Sequence, residues 1–431
     1  MKENLLTLEQ LASQNDEGLS PSSFCEATPA AKAASTLFQI GFMSFLSGIK
    51  PERKDMDLIM QTERVTDKEA IFLFIAFAIG STLIIGVGGS AKNDAWMSAI
   101  LGFVMALPML FIYARLLVLY PGKDLFDILK RTLGGVLGRA ISVVYILYAF
   151  HLGALVLRNF GEFTNTVALP ETPMFVPTFA LGLVCIIAAR LGIEVMGRVT
   201  TYFMPVIFVI LIAVQLMAIP QFHPNYLKPV FCCGLDTLLE SGFSAFAFPY
   251  AETVIFLGAF GTLASRKSPK KIYLLGVAIP AIIILFITLR NIMVLGSMLD
   301  TFYFPSYEAV SRITIGTYVE RIEVTVSIVF IFGAFIKSSI CLMVACKGIE
   351  KVFNLQNYRS VVVEVGLLMI YLAYIVYDDI MIMQLWAFKV YNYYAFPMQV
   401  ILPVIVWIVA EVKCRRRTRQ EKRAKEESAL P

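Results

Sequence analysis

Apolar runs of 18 or more residues recur along the chain, separated by short polar connections, and this pattern predicts helices that cross a membrane. Ten such spans are read, at about 68–89, 94–119, 139–164, 172–190, 197–219, 236–263, 271–296, 322–346, 360–377 and 395–412. At 1.5 Å per residue each is long enough for a hydrocarbon core of roughly 30 Å. A transmembrane β-barrel would instead read as alternating segments of about ten residues, and that pattern is missing from the sequence. The expected class is an all-α polytopic membrane protein with ten transmembrane helices.

Composition agrees. Of 431 residues 58% are hydrophobic and only 16% charged, with mean hydropathy +0.73. A soluble domain carries about 25% charge. The loops decide orientation. One set of connections holds Arg115, Lys123, Lys130, Arg131, Arg139, Arg190, Arg198, Arg266, Lys267, Lys270, Lys271, Lys347, Lys351 and Arg359, and eight more basic residues occur between Lys413 and Lys425. The opposite set holds Lys92, Lys228, Arg312, Arg321 and Lys389, so the balance is 22 against 5. Basic loops stay on the cytoplasmic side, which puts both termini there. The basic segment 413–431 reads as a cytoplasmic tail that anchors to anionic lipid, not as a nucleic-acid patch.

Residues 1–66 form an extension of different character. Ser20-Pro21-Ser22-Ser23 precedes a modest apolar stretch from Leu37 to Ile49, 13 residues and too short to span. It lacks the basic lead and cleavage site of a signal peptide. A poorly ordered extension with one interfacial helix is expected, or a natural start at Met60. The ten-helix membrane domain would then occupy 67–412. Seven cysteines argue against a secreted disulfide framework, and adjacent Cys232 and Cys233 leave a vicinal disulfide open. No metal-ligand spacing, Walker lysine loop, dinucleotide fingerprint or nucleophilic triad is found, so no cofactor, no metal and no enzyme chemistry are expected.

Function in a membrane bundle is sought where spans break their own rules. Span 1 reads Ile79-Gly80-Ser81-Thr82 near its middle and ends in Gly86-Val87-Gly88-Gly89. Span 6 reads Phe246-Ala247-Phe248-Pro249-Tyr250-Ala251-Glu252, and Pro249 frees backbone carbonyls there. If the ten spans are two halves of five, the two interruptions correspond, which points to a midplane site in inverted-repeat transporters. The plainer reading is close helix packing at Gly80 and a kink at Pro249. Two ionisable residues lie deep, Glu252 and Lys337, and an intramembrane charge needs a partner or a purpose. Arg290 and the i,i+4 pair Arg158 and Glu162 lie near the outer ends, where snorkelling and pairing suffice. His151 is read as a proton relay or a helix contact. Tyr145 and Tyr148 on the same span line a cavity or pack.

The motifs also carry a likeness. Gly80-Ser81-Thr82, Lys92-Asn93-Asp94-Ala95-Trp96 and Tyr120-Pro121-Gly122-Lys123-Asp124-Leu125-Phe126 come first, then Leu169-Pro170-Glu171-Thr172-Pro173 and Tyr226-Leu227-Lys228-Pro229-Val230. Tyr318-Val319-Glu320-Arg321-Ile322-Glu323 and Tyr377-Asp378-Asp379 complete the set. In this order and spacing, over about 66–415, the chain resembles the spore-germination permeases, the membrane-embedded B subunits of germinant receptors within the amino acid/polyamine/organocation superfamily. The family begins just before its first span, so residues 1–59 depart from it.

The resemblance implies a leucine-transporter-like 5+5 inverted repeat with broken helices 1 and 6. A small germinant, most often an amino acid, would sit between those breaks. By position, Gly80, Ser81 and Thr82 would offer amides to its carboxylate, Phe246, Phe248, Pro249 and Tyr250 would face it, and Tyr148 and Lys337 would close the sides. Glu252 would couple or gate, and Ala251 stands where the family often has Gly. Implied partners are a larger A subunit and a lipoprotein C subunit in the spore inner membrane. Three functions compete: a germinant-sensing receptor subunit, an autonomous proton- or sodium-coupled amino acid permease, and a scaffold with a vestigial site. Fold alone does not separate them.

Overall fold

Thr66 opens the first helix with a capping box. Its hydroxyl accepts the Glu69 amide at 3.3 Å while the Glu69 carboxylate accepts the Thr66 amide at 2.8 Å. The computed structural model describes residues 65–261, 263, 268–313 and 322–428. The extension expected over 1–66, with the stretch 37–49 and the start at Met60, lies outside them up to residue 64. Helices make up most of the described residues: α1 (Asp67–Ile85), α2 (Ala95–Leu119), α3 (Leu125–Leu133), α4 (Gly135–Phe163), α5 (Phe175–Leu191), α6 (Ile193–Ala218), α7 (Leu235–Ala245) and α8 (Phe256–Ala259). The second part of the chain continues with α9 (Ser268–Leu295), α10 (Pro305–Ser311), α11 (Glu323–Phe353), α12 (Val362–Ile375), α13 (Ile380–Leu385), α14 (Tyr391–Phe396) and α15 (Leu402–Ser428).

Among the described residues, seven helical runs are long and apolar enough to cross a membrane, and α5 and α12 are shorter apolar helices. The protein is an integral membrane protein. Its outer surface carries large apolar side chains, as on α6, where Tyr202 is 77% and Val209 66% exposed. That surface suits lipid, not water. The centre is held by α1 and α11, buried throughout over 73–83 and 336–346, with α4, α5, α6 and α9 packed around them. Small residues set the closest crossings. Gly80 of α1 meets Gly333 of α11, and Gly102 of α2 meets Ala245 of α7.

Two runs depart from simple spans. The apolar run at 236–263 is α7, a π turn at Phe246–Tyr250, a 3-10 turn at Ala251–Ile255 and the short α8, and Phe248 within it is non-helical at φ −133°, ψ 116°. The final run begins at Ile380, well before residue 395, and passes through π turns at Trp386–Val390 and Pro397–Ile401. Its helix continues to Ser428, so the basic tail from residue 413 is an extension of α15 over most of its length.

Candidate functional site

The interruption expected at Gly80 lies six residues further on. Residues 80–82 are helical, and α1 ends where the Gly86 amide donates to the Thr82 carbonyl at 3.1 Å. Gly86 (φ +79°) and Gly88 (φ +71°) adopt backbone that glycine alone reaches without strain. Gly80 cannot present its amide to a ligand, because that amide belongs to the helix and its Cα faces Gly333. The Thr82 hydroxyl likewise turns back onto its own helix, donating to the Ala78 carbonyl at 2.8 Å. A run of glycine at the end of the span, and not the isolated one in its middle, is what the backbone uses to turn.

Beside this turn lies a narrow cavity of about 40 Å³ that opens to one side. Its walls are Ser81, Ile85, Gly86, Val87 and Gly88 from the end of α1, and Leu152, Leu155, Val156 and Asn159 from α4. Ser244 comes from α7, Phe248 and Glu252 from the interrupted run after it, and Lys337 from α11. Tyr377, Trp386, Ala387, Phe388 and Tyr391 close it. Of the residues singled out in the sequence, the structure brings Ser81, Phe248, Glu252 and Lys337 to this cavity. Gly80, Thr82, Tyr148, Phe246, Pro249 and Tyr250 lie off it. Phe246 stacks on Phe243 with ring centroids 6.0 Å apart, and Tyr250 meets the edge of Phe103 at 5.9 Å.

Glu252 and Lys337 form an ion pair with no exposure on either side. Tyr391 donates to the second Glu252 oxygen. The Tyr148 and Tyr391 hydroxyls are 3.2 Å apart, and the Gln399 side-chain amide donates to Tyr148 at 3.0 Å and to the Ala247 carbonyl at 2.9 Å. Each hydroxyl has one proton. Tyr391 gives its proton to Glu252, so Tyr148 gives its own to Tyr391. The chain of donors therefore runs from Gln399 through both tyrosines to the carboxylate, and Lys337 meets it from the other side. Lys337 also stands over the faces of Phe77, at 5.0 Å, and Phe248, at 4.9 Å. One ammonium thus ties α1, the interruption and α11 together.

Ser81 differs from these. Its hydroxyl is buried and, among the described residues, has no hydrogen-bond partner. A buried donor without a partner costs free energy that an occupant of the cavity would relieve.

The remaining candidates serve packing or tie helices. Arg158 pairs with Glu162 at 2.7 Å and donates to the Tyr374 carbonyl at 2.7 Å, fixing α4 to α12. Arg290 is buried and held by the Asn291 side chain at 2.9 Å and by Gln215 at 3.2 Å. His151 reaches the Tyr394 hydroxyl at 3.2 Å, and Tyr145 donates to the Met398 carbonyl at 2.9 Å. Cys232 and Cys233 are free thiols, so the vicinal disulfide is not formed. Sequence reasoning missed Asn159, Tyr377, Trp386, Phe388, Tyr391 and Gln399. Gln399 carried a signal, a lone amide inside an apolar run, and Tyr377 stood in the Tyr377-Asp378-Asp379 motif without being read as a site residue.

Comparison with known proteins supplies context for this geometry. The family model described as "Spore germination protein" matches residues 64–380. Spore germination protein KB of Bacillus subtilis (strain 168) is 30% identical over 371 residues, 84% of this chain and 98% of that protein. Spore germination protein YndE of the same organism is 25% identical over 303 residues, 68% and 82% of the two chains. Among solved structures, the nucleobase-cation-symport-1 family transporter MHP1, closed with bromovinylhydantoin bound, superposes with a TM-score of 0.56 at 12% identity, over 80% of this chain and 78% of that one. MhsT in complex with L-phenylalanine gives 0.51 at 12% identity, over 79% and 87%. These two likenesses concern the fold.

Proposed function

The chain belongs to the spore germination protein family, and from that premise we propose that it is the integral membrane subunit of a spore germinant receptor that binds a small amino acid in the cavity beside Ser81. The observation that carries this reading is the unpartnered Ser81 hydroxyl beside the turn at 86–88, facing an already neutralised Glu252–Lys337 pair. The amides of Val87 and Gly88, beyond the last helical bond of α1, take the role that the resemblance implied for residues 80–82: with Ser81 they receive the ligand carboxylate. The aromatic wall of Phe248, Trp386 and Phe388 takes the side chain. MhsT, a protein of the same fold, forms a complex with L-phenylalanine, which supports an amino acid as the class of ligand.

The same reading counts ten crossings, namely α1, α2, α4, α5, α6, the run Leu235–Ala259, α9, α11, α12 and the run Ile380–Arg416. They form two halves of five with interruptions after α1 and after α7. Both termini are cytoplasmic, the membrane is the spore inner membrane, and the A and C subunits are partners. Glu252 is the gating group. Ligand entry would shift the population of the interrupted segments and pass that shift to the partners.

The test is binding by the purified chain. Single L-amino acids are screened for a rise in melting temperature, and Ser81→Ala should weaken the response of the active one about tenfold, as loss of one hydrogen bond to a charged group does. Its own melting temperature should hold. A screen in which no amino acid stabilises the protein removes the reading. The transporter fold of both structural neighbours favours a second one, an autonomous amino acid permease. Accumulation of labelled amino acid in proteoliposomes without any partner subunit would select it.

A further inference from the structure

Asp94 stands at the N-cap position of α2, where an aspartate ordinarily accepts an amide of its own helix. It makes no such bond. Its carboxylate, fully buried, turns to a distant segment and accepts the Phe231 amide at 2.8 Å, the Cys232 amide at 2.7 Å and the Cys233 amide at 3.1 Å. Asn93 beside it donates its side-chain amide to the Lys228 carbonyl at 3.3 Å. Phe231 is held at φ +64°, a region disfavoured for an L residue. The loop adopts this strained form where its successive amides converge on one carboxylate.

The two segments joined here are those that wall the cavity. Upstream of Asp94 the 3-10 run Gly89–Asp94 leads directly from Gly86, Val87 and Gly88. Downstream of Cys233 the chain enters α7 at Leu235 and reaches the cavity at Ser244 and Phe248. Both interruptions of the bundle are therefore anchored to one buried charge, at one end.

We infer that Asp94 is a positioning residue that shuts the cavity at this end. While it holds the amides of residues 231–233, the segments 86–94 and 231–248 stay together and the cavity is closed to solvent there. Releasing the three amides opens it. The use of this closure rests on the cavity being the ligand site; its geometry does not. The Cys232 and Cys233 thiols also hydrogen-bond to the Asp94 carboxylate, so serine, which keeps a donor at each position, is the replacement that preserves the junction.

That replacement allows the experiment. In the full chain with Cys25, Cys232, Cys233 and Cys414 replaced by serine, which leaves only the buried Cys185, Cys341 and Cys346, Ser244→Cys places a reporter thiol in the cavity wall. The protein is reconstituted in lipid nanodiscs and its labelling by a charged methanethiosulfonate is timed, with melting temperature measured beside it. Asp94→Asn keeps one oxygen but sets an NH₂ against amide donors, so labelling should quicken on the order of tenfold to a hundredfold, the range for one lost charge-assisted bond. Asp94→Glu keeps the charge and should stay near the parent rate. If Asp94→Asn does not fold, Asn93→Ala loosens the same junction and should give a smaller rise. Equal rates in all these proteins, a lower melting temperature with unchanged labelling, or a parent already labelled as fast as a free thiol would each overturn the inference. If labelling behaves as expected but no L-amino acid slows it, the closure stands and the ligand reading fails.

Discussion

Gly80→Ala separates helix packing from ligand contact at α1. A methyl built on Gly80 stands 2.5 Å from the Gly333 carbonyl carbon, 2.7 Å from its Cα and 2.8 Å from its oxygen. Carbon atoms rest at about 3.5–4.0 Å, so the two helices must part by about 1 Å at this crossing. All three opposing atoms are backbone, and no rotamer change absorbs the clash. Overpacking of this kind costs about 1–3 kcal/mol. The strain also travels, because Lys337 lies one turn beyond Gly333 on the same face of α11 and Phe77 lies nearly one turn before Gly80. Parting the helices lifts the ammonium from the Phe77 ring.

At about 2–4 °C per kcal/mol for a large domain, the melting temperature of Gly80→Ala should fall by roughly 2–12 °C. Differential scanning fluorimetry in detergent reads this directly. Gly333→Ala should fall similarly, and the double variant further than either, since two methyls would then face each other. A Gly80→Ala protein that melts within about 1 °C of the parent refutes the reasoning. Lost ligand affinity at unchanged melting temperature would restore Gly80 to the binding site.

Glu252→Gln should cost about 3–5 kcal/mol, because it leaves the Lys337 ammonium buried and unpaired, and adding Lys337→Met should recover much of that loss in a double-mutant melting cycle. Tyr391→Phe removes the donor to Glu252 and the acceptor for Tyr148, and should lower stability by about 1–3 kcal/mol by the same assay. In the loop before α3, burial raises the Asp124 carboxyl above its ordinary 3.8, against the pull of the Asp127 amide and the nearby Lys351 and Lys347. A raised acid favours the protonated fold, so the parent loses stability as pH climbs from 3.8 through the raised value and stays at that lower level above it. Asp124→Asn keeps the cap, and should match or exceed the parent in melting temperature at neutral pH while showing no advantage below pH 3.8.

Apolar runs declared the membrane class, and Glu252 and Lys337 declared themselves because an ion inside such a run demands a reason. Their mutual pairing needed the fold, since the two lie 85 residues apart. Two failures are instructive. Gly80 and Gly86 both offer freedom from a side chain, and only the neighbour across the crossing, Gly333, tells a packing glycine from a turning one. Residues 378–394 fell between two read spans and passed for a loop. They are helical over much of their length, and they deliver Trp386, Phe388 and Tyr391 to the cavity. Aromatic and β-branched residues there show no period that would set them apart from an interfacial connection.

The charge arrangement limits where ligand binding can be felt. Glu252 and Lys337 neutralise each other, Tyr391 takes the second carboxylate oxygen, and Phe77 and Phe248 cover the ammonium. A ligand that displaced this pair would have to replace every one of those bonds in a buried site, at a cost set by desolvated charge. An occupant does better to leave the pair intact and to use the hydroxyl still without a partner, that of Ser81, with the Val87 and Gly88 amides beyond the last helical bond of α1. Those groups sit on or beside the segment that leaves α1 toward Asp94, so on the proposed reading a bound ligand would act on the part held by the Asp94 junction. The ion pair would then serve as the fixed point against which that segment moves.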